Sequence, residues 1–266
     1  MQTVFFKDLL EKVGVKMQVF KVGTYKSAVE PFISTEMSEA NREQTTVFSS
    51  EIWDEMLADV SESRKIETTK LNALADTTMI FCDAEMYVAE KLVDKLAYSD
   101  DVPKMISCMM GVEDEDDYST IGVDDMASVA SNKPKDDSGN VVAVYYAYGD
   151  IVEEASMGLS EEGIVSSKVI RDLEKLADDD DVKAVVLRVN SGGGSAYASE
   201  QIWHQVMNIK SKKPIVVSMG GMAASGGYYI SCAADWIVAE PTTLTGSIGI
   251  FGMVPDASEK KKKKFG

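Results

Sequence analysis

A serine enclosed by small residues is the feature of this sequence best suited to chemistry. Residues 214–231 read PIVVSMGGMAASGGYYIS. Ile215, Val216 and Val217 predict a buried strand. Gly220, Gly221, Gly226 and Gly227 let the following backbone turn tightly and approach other atoms. Ser225 stands between alanines and glycines, so nothing bulky shields its hydroxyl. A serine at a strand-to-helix turn is where an α/β hydrolase-like site places its nucleophile. The plainer alternative is a small residue filling a crowded turn. A second turn bears on the choice: Asn190-Ser191-Gly192-Gly193-Gly194-Ser195 follows AVVLRV and precedes a predicted helix. Its glycines can aim backbone N–H groups at an anion. Facing Ser225, they would form an oxyanion hole, in which one donor is worth about 3 kcal/mol of barrier. The glycine run matches neither phosphate-loop nor dinucleotide-binding patterns, and a plain tight turn would use it equally well.

A serine nucleophile needs a base. The single histidine, His204, lies in SEQIWHQVMNIK beside Gln201, Gln205 and Asn208 and reads as solvent-exposed. Lysine is the known alternative. Its pKa must fall from about 10.4 toward 7–8, which takes about 4 kcal/mol of desolvation or cationic neighbours. Such a lysine belongs among apolar or small residues. The run 260–264 is a solvated tail, and Ser258-Glu259-Lys260-Lys261 matches S-x-x-K only because any lysine tail would. Lys26, in VGTYKSAVEPF, fits better: it follows a glycine turn, between Tyr25 and Ser27, ahead of Ala28 and Val29.

The elements that must position these residues form two patterns. Up to about residue 112 the chain reads as mostly helical: an opening amphipathic helix in MQTVFFKDLLEKVGV, a strand at Met17–Val22, a long helix from Ser38 to Arg64, and shorter helices near 68–75, 84–97 and 101–110. Residues 113–140 carry many carboxylates and few large apolar residues, and read as a solvated linker. From Val141 the pattern becomes β-α-β: VVAVYYAY, a helix over Ile164–Ala177, AVVLRV, a helix over Tyr197–Lys210, IVVSM, a helix over Ser225–Ala233, and WIVA. Such alternation predicts an α/β fold with a mostly parallel sheet covered on both faces, and function collects at the carboxyl ends of its strands. With 266 residues and 45% hydrophobic content the chain can bury a core. A net charge of −17 argues against a nucleic-acid or anionic-membrane surface. Cys82, Cys108 and Cys232 lack disulfide or zinc spacing and read as small core residues. No apolar run approaches a membrane span, and no secretory leader is evident.

Four stretches, VGTYKSAVEPF (22–32), RVNSGGGSAYASE (188–200), SMGGMAASGGYYIS (218–231) and LTGSIGIFG (244–252), occur in this order. Together they resemble the signal peptide peptidase A group of the S49 serine peptidases. The resemblance implies a crotonase/Clp-protease-like ββα spiral of parallel strands. In long members two such domains stand in tandem, the lysine base coming from the first and the serine from the second. Carried over, Ser225 matches the nucleophile and Lys26 the general base. Gly193 and Gly194 match the oxyanion-hole turn, and Ser247 matches a serine that hydrogen-bonds the lysine amine. Tyr25 and Glu30 would support the lysine, and Asn190 and Ser191 would shape the turn. Gly192 departs from the pattern, replacing a proline and loosening the turn in φ without removing an N–H donor.

On this resemblance, residues 1–112 are expected to be the C-terminal part of a first domain, 113–140 an acidic linker, and 141–266 the N-terminal part of a second. Both domains are then incomplete, as in a truncated or frame-shifted fragment ending in EKKKKKFG. The implied activity is a Ser/Lys endopeptidase cleaving remnant signal peptides, with no metal or cofactor. It would be membrane-associated through a segment absent here, with catalytic domains outside the cytoplasm, and would form homo-oligomers that are tetramers in long members. The competing readings are an inactive fragment or scaffold, and a crotonase-type acyl-CoA enzyme, although neither turn carries a glutamate.

Overall fold

Gly14, at φ +72°, ends the first helix, α1 (Lys7–Lys12), and turns the chain into strand β1 (Lys16–Lys21). Val15 N–H closes back on Leu10 O at 2.9 Å. This wrapped helix end favours glycine because a side chain resists positive φ, and it makes α1 shorter than expected. The computed structural model describes residues 3–77, 79–112, 119–122, 125–126, 139–154 and 163–258. A turn then leads to α2 (Glu30–Ile33) and to the long helix α3 (Glu39–Arg64), whose bounds match the expectation within a residue.

The chain forms two compact units, one of residues 1–53 and 138–266 and the other of residues 54–137. The second contains the end of α3 together with α4 (Thr68–Asp76), α5 (Ala84–Ala89) and α6 (Val102–Met110). Its small core comprises Leu57, Ile66 and Leu71, with Val60 and Leu92 packed against them. The helix expected over 84–97 stops at Ala89, and Lys91 follows at φ +60°. The acidic stretch 113–140 lies mostly outside the described residues.

The first unit holds the parallel sheet. Its strands are β2 (Val141–Tyr148), β5 (Val182–Ser191), β6 (Ile215–Ala224) and β7 (Trp236–Val238), in that order, with β8 (Leu244–Gly246) pairing farther along β6. Beside them β3 (Ile151–Val152) pairs in parallel with β4 (Ile164–Val165), so the helix expected from Ile164 begins at Ser166. Helix α7 (Ser166–Asp178) turns Val169, Leu173 and Ala177 inward, and α8 (Ala196–Lys210) turns in Ala198, Ile202, Val206 and Ile209. Both rows recur at helical spacing and cover Val185, Leu187 and Val189 of β5. Helix α9 (Gly226–Ser231) and strand β9 (Phe251–Asp256) complete the unit.

Among the described residues of this unit, helices do not cover both faces of the sheet as expected. Val142, Val144, Tyr146 and Tyr148 of edge strand β2 are exposed. The strand order explains the difference: it follows the sequence without reversal, and successive right-handed crossovers then lie on one side. The core is accordingly one-sided, and Leu173 at its centre is fully buried. Leu173→Ala should lower stability by about 2–5 kcal/mol, read from the denaturant midpoint at unchanged slope.

Candidate active site

Strand β6 runs five residues beyond the expected IVVSM, through Gly220 and Gly221 to Ala224, and delivers Ser225 at its carboxyl end. Ser225 takes φ +52°, ψ −116°, a conformation that glycine adopts readily and serine does not. Three neighbouring hydrogen bonds hold the strand end in place. Ser225 N–H donates to Gly246 O at 2.9 Å, Thr245 Oγ1 donates to Ala223 O at 2.7 Å, and Thr243 Oγ1 donates to Gly220 O at 2.9 Å. Helix α9 starts at once, with Tyr229 N–H on Ser225 O at 2.9 Å.

Lys26 reaches this serine through a strand pairing that has no signature in the sequence. Strand β1 pairs antiparallel with β9, from Lys16 opposite Asp256 to Lys21 opposite Phe251. Val22 N–H extends the ladder to Ile250 O at 3.3 Å. Lys26 leaves one strand of this ribbon just as Ser247 enters the other. Lys26 is 5% exposed. Its Nζ donates to Ser247 O at 2.7 Å and to Ser247 Oγ at 3.0 Å, and lies 3.3 Å from Ser225 Oγ. The Phe251 ring stands 5.8 Å from Nζ. Burial holds the amine below the ordinary lysine value, because an ammonium there loses hydration. Among the described residues, no carboxylate is ion-paired with it.

The glycine turn packs directly against the serine. A Cβ at Gly193 (φ +100°) would stand 2.5 Å from Gly226 N and 2.9 Å from Ser225 Cβ; one at Gly194 (φ +155°) would stand 2.1 Å from Ile151 O. Ser191, 2% exposed, braces the turn. Its hydroxyl donates to Gly149 O at 2.7 Å and accepts Gly193 N–H at 3.0 Å. That bond occupies the Gly193 donor and leaves Gly194 N–H and Gly226 N–H as the candidates for an incoming oxyanion. Asn190 Oδ1 accepts Met222 N–H at 3.1 Å, tying the turn to β6.

A cavity of about 680 Å³ opens beside Ser225, lined by Tyr228, Tyr229, Ile248, Ile250 and Phe251 among others. Cys232 also lines it and is exposed, as is Cys108. Neither is the core residue expected: Cys232 is the exposed C-cap of α9, between buried Ser231 and Ala233, and Cys108 holds an exposed position on α6. Ser195 caps α8, accepting Ala198 N–H at 3.2 Å. His204 is exposed on α8, as expected. Tyr25 donates to Glu43 at 2.8 Å, and Glu30 is buried nearby. The structure thus brings Ser225, Lys26, Ser247, Gly193 and Gly194 to one place. Gly226 was missed as a candidate donor, although its position directly after the serine was a usable signal.

The model of peptidase family S49 matches residues 1–112 and 208–265, more than half of the chain, and the chain belongs to that family. It is 44% identical over 259 residues to Protease 4 of Salmonella typhi, covering 94% of this chain and 41% of that protein. Protease 4 of Haemophilus influenzae is 38% identical over 270 residues, covering 98% of this chain and 43% of that protein. The chloroplastic serine protease SPPA of Arabidopsis thaliana is 31% identical over 256 residues, covering 94% and 37%. The chain therefore spans about two-fifths of the length of these relatives.

Two stability measurements probe the backbone strain at Ser225 and the burial of the Lys26 amine. Ser225→Gly and Ser225→Ala both remove the hydroxyl, but only glycine relieves the positive φ. Ser225→Gly should be the more stable by about 1–3 kcal/mol; equal midpoints would deny the strain. Lys26 has a folded pKa below its unfolded value, so between the two the unfolded chain binds more protons and stability rises with pH. Below the folded pKa the full cost of burying an ammonium is present. Lys26→Met should remove that cost, raising stability at neutral pH and flattening its rise toward alkaline pH.

Proposed function

We propose that this chain carries the Ser/Lys dyad of a serine endopeptidase. Ser225 is the nucleophile, Lys26 the general base, and Ser247 the residue that orients the base. The observation that carries this reading is the environment of the Lys26 amine. A neutral amine has two N–H groups and one lone pair. Donation to Ser247 O and Ser247 Oγ uses both hydrogens and leaves the lone pair for the Ser225 hydroxyl proton. Attack on a peptide carbonyl forms the Oγ–C bond as the proton passes to Nζ. The carbonyl oxygen becomes an oxyanion, for which Gly194 N–H and Gly226 N–H are the assigned donors. Collapse breaks the C–N bond, and the leaving amine takes the proton from Lys26. Water, deprotonated by the same amine, then hydrolyses the acyl-enzyme. Gly193 contributes through its conformation rather than its N–H.

The substrate class we assign is an apolar peptide of the remnant signal-peptide type. The apolar side chains along the cavity beside Ser225 support it. Family membership supports the further reading of a membrane-associated protease, with catalytic domains outside the cytoplasm, acting as a homo-oligomer. No helix among the described residues is long and apolar enough to cross a membrane. The tandem arrangement, with the lysine segment closing a first domain and the serine heading a second, belongs to the same proposal.

An active-site-directed fluorophosphonate tests the dyad. Labelling should vanish in Ser225→Ala and fall by about 10²-fold or more in Lys26→Ala, the usual contribution of a positioned base. The wild-type rate should climb about tenfold per pH unit and level off below pH 10.4, the ordinary lysine value, because protonation of Lys26 removes the base. Absence of labelling in well-folded protein would favour the inactive scaffold. Labelling that persists in Lys26→Ala with an unchanged pH profile would remove lysine from the mechanism.

A further inference from the structure

We infer that Glu30 is a positioning residue for Lys26, acting through Asn41 and Gln44 on the two residues that flank the lysine, at the Tyr25 carbonyl and the Ser27 hydroxyl. This rests on the reading of Lys26 as the base. Glu30 is 4% exposed, and a carboxylate so placed is costly unless its oxygens are fully used. They are. One oxygen accepts the Ser38 hydroxyl; the other accepts Ser38 N–H at 3.3 Å and Asn41 Nδ2 at 3.0 Å. Asn41, thus oriented, presents Oδ1 to Gln44 Nε2 at 3.1 Å. Gln44 Nε2 also reaches Tyr25 O at 3.0 Å and Ser27 Oγ at 2.9 Å, on the two residues flanking Lys26. The relay closes locally, because Glu30 N–H donates to Ser27 O at 2.9 Å and Val29 between them is fully buried.

The residue types suit this task. Ser38 precedes α3 and its hydroxyl also accepts Asn41 N–H at 3.2 Å, so the first turn of α3 is a fixed platform. Asn41 and Gln44 are three residues apart and share one face of that helix. Glu30 takes three donors on two oxygens, whereas a glutamine amide offers one oxygen and brings two hydrogens that clash with Asn41 Nδ2. Burial pushes the Glu30 carboxyl upward, but the hydrogen bonds from Ser38 and Asn41, together with the nearby Lys21 ammonium, outweigh it and leave it below the usual carboxylate range. Glu30 therefore stays ionised where the lysine titrates.

Other charges also face the lysine segment. Lys21 of β1 donates to Lys26 O at 3.4 Å. Asp150, Glu153 and Glu154 line a cavity shared with Lys26 and Ser225, and Glu43 of α3 holds the Tyr25 hydroxyl. None of them bridges both flanks of Lys26 as the Glu30 relay does.

The test measures Lys26 directly, on the full chain. Trace acetylation by acetic anhydride as a function of pH, read at Lys26 by peptide mass spectrometry, gives its titration midpoint without requiring activity. Fluorophosphonate labelling is followed in parallel. In Glu30→Ala the segment should loosen and the amine gain water, moving the Lys26 midpoint up toward the ordinary lysine value. Ser225 labelling at neutral pH should drop by about tenfold per unit of that shift and recover as pH rises. Asn41→Ala and Gln44→Ala should give smaller shifts in the same direction. Leu173→Ala controls for mere destabilisation and should leave the midpoint in place. If Glu30→Ala fails to fold, Asn41→Ala and Gln44→Ala carry the test. Folded variants whose Lys26 midpoint matches the wild type would overturn the proposal. A wild-type labelling profile that ignores the Lys26 midpoint would instead overturn the assignment of the base, leaving the positional claim to be decided by acetylation alone.

Discussion

A lysine amine held out of water, 3.3 Å from a serine hydroxyl 199 residues away in sequence, is the constraint on which the rest of the site depends. An amine in water is protonated at neutral pH and cannot accept a proton. Here it sits 5% exposed against two serines and a phenylalanine ring. The ring face attracts the cationic form and works against the effect, but burial dominates and the net shift is downward. The β1–β9 ribbon makes the placement possible. It brings Lys26 and Ser247 to one spot from opposite ends of the chain, and β8 ties the Ser247 segment back to the strand that carries Ser225.

Strain and close packing gather at the same place. Ser225 and Ser247 are two of the few non-glycine residues with positive φ among those described. Gly193 and Gly194 sit where no side chain could fit. Such conformations persist only where surrounding contacts over-determine them, and here the buried β5–β6 sheet and its covering helices supply those contacts. Ser225 and the glycine turn rest on the sheet, while Lys26 arrives on a loop braced from the start of α3. These are different engineering problems with different solutions. The serine is fixed by backbone geometry, the lysine by side-chain hydrogen bonds.

Much of this was legible in the sequence. The α/β class, the parallel strands and the bounds of β2 followed from β-branched alternation. Ser225, Lys26 and Ser247 were marked by small-residue and glycine contexts together with the family resemblance. The β1–β9 pairing was not legible, because antiparallel pairing between segments more than 200 residues apart leaves no local pattern. The extension of β6 through Gly220 and Gly221 was hidden by two glycines that read as a turn. The one-sided helix cover follows from strand order, which periodicity does not encode. Asn41 and Gln44 carry no pattern that sets them apart from other polar residues of a long helix, and only their hydrogen bonds distinguish them.

The most direct measurement is the titration of Lys26 itself, followed through its ¹³Cε chemical shift in lysine-labelled protein, with Lys26→Met to assign the signal. The account predicts a midpoint below the ordinary lysine value of about 10.4, and one that moves when Ser247→Ala removes a hydroxyl from the amine. A midpoint at the ordinary value, unaffected by Ser247, would show a hydrated ammonium beside Ser225 and contradict the central claim.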